Sequence, residues 1–327
     1  MAAGPLVVAF ALNDAQRASV IETLAGAAEL VCLRDLDDPG RAAALRRAGA
    51  VLIWNTTELK PHEQALIGGA RLLQTMTAGV DFLQFSALPQ GLPVAANGGA
   101  YAEPMAEHAL AMALAAAKRL LVEHAALTGG AFNQFTSNKM LAGGVFGIFG
   151  FGGIGVATAK LMRAIGMRIH AINRRGHTDE DVDWVGGVDQ LDALLAASDV
   201  LLISAPLTRT TRGLFDAAAL ARMKPDAILI NLARGELIDE PALFAHLQAQ
   251  PRFTGCIDAW WVEPVRHGQF RTDHPFMTLP NVIGSPHNSA SVPASRVVGL
   301  RRAVENCRRA LLGETPHFIV TAEEKLL

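Results

Sequence analysis

The sequence predicts an α/β chain built on two doubly wound parallel sheets, one inserted into the other. Three observations predict it. Short apolar runs alternate with helical patterns along most of the 327 residues, as in a parallel sheet with helices on both faces. A strand from Val145 to Phe149 runs straight into Gly150-Phe151-Gly152-Gly153-Ile154-Gly155, then a helical run, then a second strand from Arg168 to Ile172. After Ser289 a final helical pattern, about 293–312, can return to the first sheet. That makes 99–289 an inserted domain and leaves 1–98 with 290–327 as the other.

In the first domain, strands are expected at 6–10, 30–33, 51–54 and 72–75, with helices near 14–25, 39–48 and 61–67. This is a small sheet of the flavodoxin-like kind. Its unusual turn, Thr77-Ala78-Gly79-Val80-Asp81, follows a strand at the carboxyl edge, where open α/β sheets bind ligands. Asn55, at the end of the third strand, either borders the cleft or, as most polar strand-end residues do, only caps a turn. After Asn97-Gly98-Gly99 comes one long helix, about 101–127, apolar on every side and therefore buried. At about 40 Å it outruns a small domain, which points to a subunit interface or domain junction.

Each glycine of the G-x-G-x-x-G pattern has a mechanical task. Gly150 permits the tight turn, Gly152 lets the backbone approach a pyrophosphate, and Gly155 lets the helix pack closely on the strand. The stretch is thus a dinucleotide-binding βαβ unit of the Rossmann type, with the helix N-terminus at Gly153 and Ile154 facing the phosphates. Beyond it, strands are expected at 200–204, 227–231, 254–259 and 282–285, with helices at 191–197, 217–222 and 241–248. Parallel strands end on one edge, so the turns 205–208, 232–235, 260–264 and 286–288 meet there. Arg234, Glu263 and His287 lie in these turns. A carbonyl that accepts hydride needs a proton, which an imidazolium supplies near neutral pH. A carboxylate on the far ring nitrogen favours the charged ring and fixes it. A guanidinium grips a carboxylate by two bonds. Asp258 suits a cofactor contact better than an acid. His108 reads as core or interface.

A formal charge of −2 gives no reason to expect nucleic acid or an anionic membrane as partner. Cys32, Cys256 and Cys307 are odd in number and far apart, so neither a disulfide framework nor a metal site is expected. They suit reduced core thiols in a cytoplasmic protein. The N-terminus lacks the basic start of a signal peptide. Glu103, Glu107, His108, Lys118 and Arg119 interrupt the longest apolar stretch, which excludes a membrane span there.

From Leu72 to the last helix the chain resembles the D-isomer-specific 2-hydroxyacid dehydrogenases, which include glyoxylate/hydroxypyruvate reductases. The resemblance rests on Thr77-Ala78-Gly79-Val80-Asp81, Met105-Ala106-Glu107-His108, Gly147 to Gly155, Ala205-Pro206-Leu207-Thr208 with Thr211-Arg212-Gly213, Asn231 to Leu243, Asp258 to Pro264, and Pro286-His287. It implies that Arg234 binds substrate, Glu263 supports the histidine, and His287 is the acid/base. It further implies that the Ala78-Gly79 backbone holds the substrate carboxylate, and that the subunits form homodimers through the long-helix region. The cofactor would be held by Gly150, Gly152, Gly153, Ile154, Gly155, Ala205, Pro206, Thr211, Leu232, Ala233, Arg234, Asp258 and His287, together with the residues after the second strand of the unit.

Three departures stand out. Where NAD-preferring members carry an aspartate, this chain has Asn173-Arg174-Arg175. Loss of the anion and two guanidiniums favour NADP over NAD. Trp260-Trp261 makes a bulky turn before Glu263, and the segment 266–276 has no evident role. Two rival functions share the fold. Formate dehydrogenases resemble the chain with glutamine at the Glu263 position, because formate oxidation needs no proton shuttle. Nucleotide-sensing corepressors retain the same three residues, but this chain has no long disordered tail for partners. The expected reaction is hydride transfer to a small 2-oxoacid such as glyoxylate or hydroxypyruvate, with closure hinged near Asn97-Gly98-Gly99 and Asn288.

Overall fold

The computed structural model describes residues 4–326. In chain order the first elements are β1 (Leu6–Val8), α1 (Asp14–Leu24), β2 (Leu30–Cys32), α2 (Asp38–Arg47), β3 (Ala50–Ile53), β4 (Leu72–Thr75) and β5 (Val94–Ala95). There follow α3 (Ala102–Ala117), α4 (Leu120–Thr128), β6 (Val145–Phe149), α5 (Gly153–Ala164), β7 (Arg168–Ile172), β8 (Trp184–Gly186), α6 (Leu191–Ala197) and β9 (Val200–Ile203). The last are α7 (Ala217–Ala221), β10 (Ile228–Asn231), α8 (Glu240–Ala249), β11 (Thr254–Ile257), α9 (Pro264–His267), β12 (Val282–Gly284) and α10 (Pro293–Leu311). They form two compact units: the chain up to Tyr101 together with Val292 onward, and Ala102–Ser291.

The first unit holds a parallel five-stranded sheet in the order β2-β1-β3-β4-β5. Both faces are covered. Leu6, Val8 and Leu52 pack towards Leu300, Ala303 and Val304 of α10, while Val7, Val51 and Leu73 pack towards Leu33, Leu45 and Ile67. Burial on both faces is why these strands read as unbroken apolar runs. The second unit holds a parallel seven-stranded sheet in the order β12-β11-β10-β9-β6-β7-β8. Strand order reverses between β6 and β9, the switch point at which such sheets take a dinucleotide.

Three local expectations are corrected. The single helix over 101–127 is two helices, α3 and α4, separated at Lys118-Arg119. Arg119 lies in the left-handed region at φ 52°, and the Lys139 N–H takes the Ala117 carbonyl that a continuing helix would use. The returning segment caps α3 and turns the chain. The expected helix at 61–67 is a run of 3₁₀ turns over Gln64–Gly69, shortened by the Gly68-Gly69 pair. Two strands absent from the sequence reading, β5 and β8, are two and three residues long. They lie at sheet edges, too short to show a period.

Candidate active site

The glycine turn is built as its spacing requires. Gly150 sits at φ +99°, and a Cβ there would lie 2.3 Å from the Ala205 nitrogen across the switch point. A Cβ on Gly155 would press on the Gly150 carbonyl and Ile148 at 3.0 Å. At Gly152 the Cβ position is open, with nothing within 4 Å, and α5 starts there with no side chain capping it. Open space in front of the unpaired N–H groups of a 12-residue helix fits a pyrophosphate. Ala205 and Pro206 lie across the switch point. The Thr211 hydroxyl closes their loop, accepting from the Thr208 N–H and donating to the Pro206 carbonyl, both at 2.8 Å.

Register explains why the three polar residues converge. Asn231 pairs with Ile257, and Ile257 with Gly284, so β10, β11 and β12 end in one row. The loops carrying Arg234, Glu263 and His287 leave from that row. Both Glu263 carboxylate oxygens lie 2.8 Å from Nδ1 of His287. Glu263 is buried, while the His287 side chain is one-third exposed, and among the described residues its other nitrogen makes no hydrogen bond. Burial pushes the Glu263 carboxyl up. The hydrogen bond and charge of His287, the Trp260 N–H and the charge of Arg234 outweigh burial and hold it below the ordinary carboxylate range. Glu263 is therefore an anion at neutral pH.

The supports of this triad include residues that sequence reasoning missed. Asn231, buried at the end of β10, accepts from the Ala233 N–H and donates to the Arg234 carbonyl. It shapes the turn of Leu232 and Ala233 that presents Arg234. An asparagine closing a strand in front of a turn was the available signal. His287 itself has φ +50°, a strained backbone that its surroundings must impose. Asp258 does so: its fully buried carboxylate accepts from the Ser285 hydroxyl at 2.5 Å, the Asn288 N–H at 3.1 Å and the Ser289 N–H at 3.3 Å. Beyond the cofactor contact expected of it, Asp258 holds the His287 loop. His108 joins this set, with Nε2 3.0 Å from the Ser285 hydroxyl. His267 Nδ1 accepts the Glu263 N–H at 3.0 Å.

At the end of β7 the Asn173 side chain accepts from the N–H groups of Arg175 and Gly176 and donates to the His177 carbonyl. It folds the loop that displays Arg174 and Arg175, both exposed. Neither guanidinium has an ion-pair partner among the described residues. In the first unit, Ala78 and Gly79 follow β4, and among the described residues neither of their N–H groups donates a hydrogen bond. Asn55 caps the turn after β3 through the Thr57 N–H.

A family model described as D-isomer specific 2-hydroxyacid dehydrogenase, NAD binding domain, matches residues 110–289. The chain belongs to that family. This D-2-hydroxyacid dehydrogenase is 32% identical over 250 residues to glyoxylate/hydroxypyruvate reductase B of Enterobacter agglomerans, covering 75% of this chain and 76% of the relative. It is 34% identical over 214 residues to hydroxypyruvate reductase of Thermotoga maritima, covering 64% and 68%. Among solved structures, a D-isomer specific 2-hydroxyacid dehydrogenase from Xanthobacter autotrophicus Py2, in complex with NADPH and MES, superposes with TM-score 0.79 at 25% identity, covering 98% of each chain. An NADPH-dependent glyoxylate/hydroxypyruvate reductase from Sinorhizobium meliloti gives TM-score 0.78 at 22% identity over 97% and 98%. The dehydrogenase is thus an NAD(P)-dependent oxidoreductase, moving hydride between the nicotinamide cofactor and small 2-oxoacids.

Proposed function

We propose that this dehydrogenase is an NADPH-preferring reductase of glyoxylate, hydroxypyruvate or a similarly small 2-oxoacid. The observation that carries the chemistry is the two-pronged Glu263–His287 contact at 2.8 Å beside Arg234. The bound cofactor supplies hydride. Arg234 grips the substrate carboxylate and polarises its carbonyl. His287, fixed by Glu263, delivers the proton to the new hydroxyl through Nε2. Glutamate at 263 favours a proton-coupled substrate over formate. Turnover with a panel of 2-oxoacids tests this reading: glyoxylate and hydroxypyruvate should lead, and no NADPH consumption with any 2-oxoacid would favour a nucleotide-sensing protein.

The cofactor preference rests on the loop that Asn173 displays, and the NADPH of the Xanthobacter relative supports it. Two guanidiniums on a 2′-phosphate each make charge-assisted bonds worth about 1.5–3 kcal/mol. Replacing Arg174 and Arg175 together with alanine should therefore raise KM for NADPH by at least roughly 100-fold while leaving NADH unchanged. Tighter binding of NADH by the unaltered enzyme would reverse the assignment.

Homodimerisation is proposed from α4, none of whose residues is buried. Leu120, Leu121 and Leu127 are each more than half exposed, and Phe132 and Phe135 follow at 77% and 92%. Asn133 bonds Glu123 and ties that segment to the helix. So much apolar surface calls for a partner, and a second copy satisfies it symmetrically. Light scattering should read twice the chain mass, and Leu121→Glu with Phe135→Ser should halve it. The three cysteines, all buried and free, support a cytoplasmic setting, and no described helix is long and apolar enough to cross a membrane.

A further inference from the structure

The indole rings of Trp260 and Trp261 and the Arg266 side chain have no place in the chemistry above, yet they tie together the loops that carry it. The Trp260 indole N–H donates to the Ser285 carbonyl at 2.8 Å, two residues before His287. The Trp261 indole N–H donates to the Ile238 carbonyl at 2.8 Å, four residues after Arg234. Arg266 clasps both oxygens of Glu236, at 2.7 and 3.1 Å, two residues after Arg234. The Trp260 backbone N–H meets the Glu263 carboxylate at 2.7 Å.

Close packing confirms the convergence. A Cβ on Gly235 would lie 2.4 Å from the peptide joining Trp260 and Trp261, so the Arg234 loop rests on that peptide. A Cβ on Gly284 would lie 2.9 Å from the Trp260 ring, so β12 rests on the same residue. Trp261 stacks on Phe276 at 5.3 Å and 17°, and Trp260 meets Phe270 edge-on at 5.5 Å. The segment 264–276 thereby backs the two indoles, and the Asp273 N–H is anchored on Glu240 at the start of α8.

We infer that Trp260, Trp261 and Arg266 are positioning residues, a staple that fixes the loops of Arg234, Glu263 and His287 at one spacing. The inference rests on assigning the chemistry to those three residues. A two-pronged guanidinium–carboxylate contact fixes both distance and plane, and an indole N–H bonded to a carbonyl fixes a large rigid ring. Both tethers act between loops, where a displacement of about 1 Å costs up to 100-fold in rate.

The test uses Arg266→Gln, the charge swap Arg266→Glu with Glu236→Arg, and Trp261→Phe, which keeps the ring but loses the donor. Arg266→Gln and Trp261→Phe should each lower kcat about tenfold with the dissociation constant for NADPH within twofold, and the swap should recover part of the loss. Unchanged kcat in both single variants would overturn the staple, as would a swap no better than Arg266→Gln. His287→Ala, assayed in parallel, separates the two readings. If it abolishes turnover while the staple variants do not, only the staple fails; if it spares turnover, the assignment beneath it fails.

Discussion

His287→Ala should lower kcat for 2-oxoacid reduction by about 10²–10⁴-fold, the range a positioned general acid contributes. The nitrogen facing Glu263 is committed to the carboxylate, so the loss falls on the one proton that the other nitrogen can deliver. Backbone strain is the confounding effect, because His287 sits at φ +50°, which alanine tolerates poorly. Asparagine tolerates that region and carries no titratable proton. His287→Asn should therefore lose activity to the same extent as alanine while melting closer to the parent. NADPH binding, followed by its fluorescence, should stay within a few-fold in both. Near-native turnover in either variant would remove His287 from the chemistry.

The fold was legible wherever the chain repeats a period. Strands buried on both faces announce themselves as apolar runs, and the glycine turn was readable because each glycine answers a different steric demand, two of them now visible as clashes a Cβ would make at Gly150 and Gly155. What the sequence hid has a common cause. The break at Lys118-Arg119 depends on Lys139 returning to the Ala117 carbonyl, a contact between distant residues that no local pattern encodes. β5 and β8 are too short to display alternation. In the site, the residue types and the shared sheet edge pointed to Arg234, Glu263 and His287, but their supports did not show. Asp258, Ser285 and His108 come from three elements and meet only in the folded unit. The indole tethers of Trp260 and Trp261 end on backbone carbonyls, which carry no sequence signal.

Glu263→Gln separates what the carboxylate's charge does from what its shape does. Glutamine keeps the size and an acceptor for His287 Nδ1–H, but removes the anion. In the parent the carboxyl is raised by burial and lowered further by the His287, Trp260 and Arg234 interactions, leaving it below the ordinary range. A depressed carboxyl contributes stability above its unfolded pKa and loses it as pH falls through the folded one. At neutral and alkaline pH the anion is fully present beside the His287 ring. Reduction draws its proton from that ring, so the carboxylate that orients the ring governs the transfer. Without the anion the ring loses the two-pronged contact that fixes it, so kcat for reduction should fall roughly 10–100-fold. Stability in acid should change as well: the parent loses the carboxylate's contribution as pH falls through its depressed folded pKa, whereas the variant has nothing to titrate there and should melt at a temperature less dependent on acid pH. Parental kcat in the variant would remove Glu263 from the proton transfer, and an unchanged acid dependence of melting would show that its charge contributes no stability.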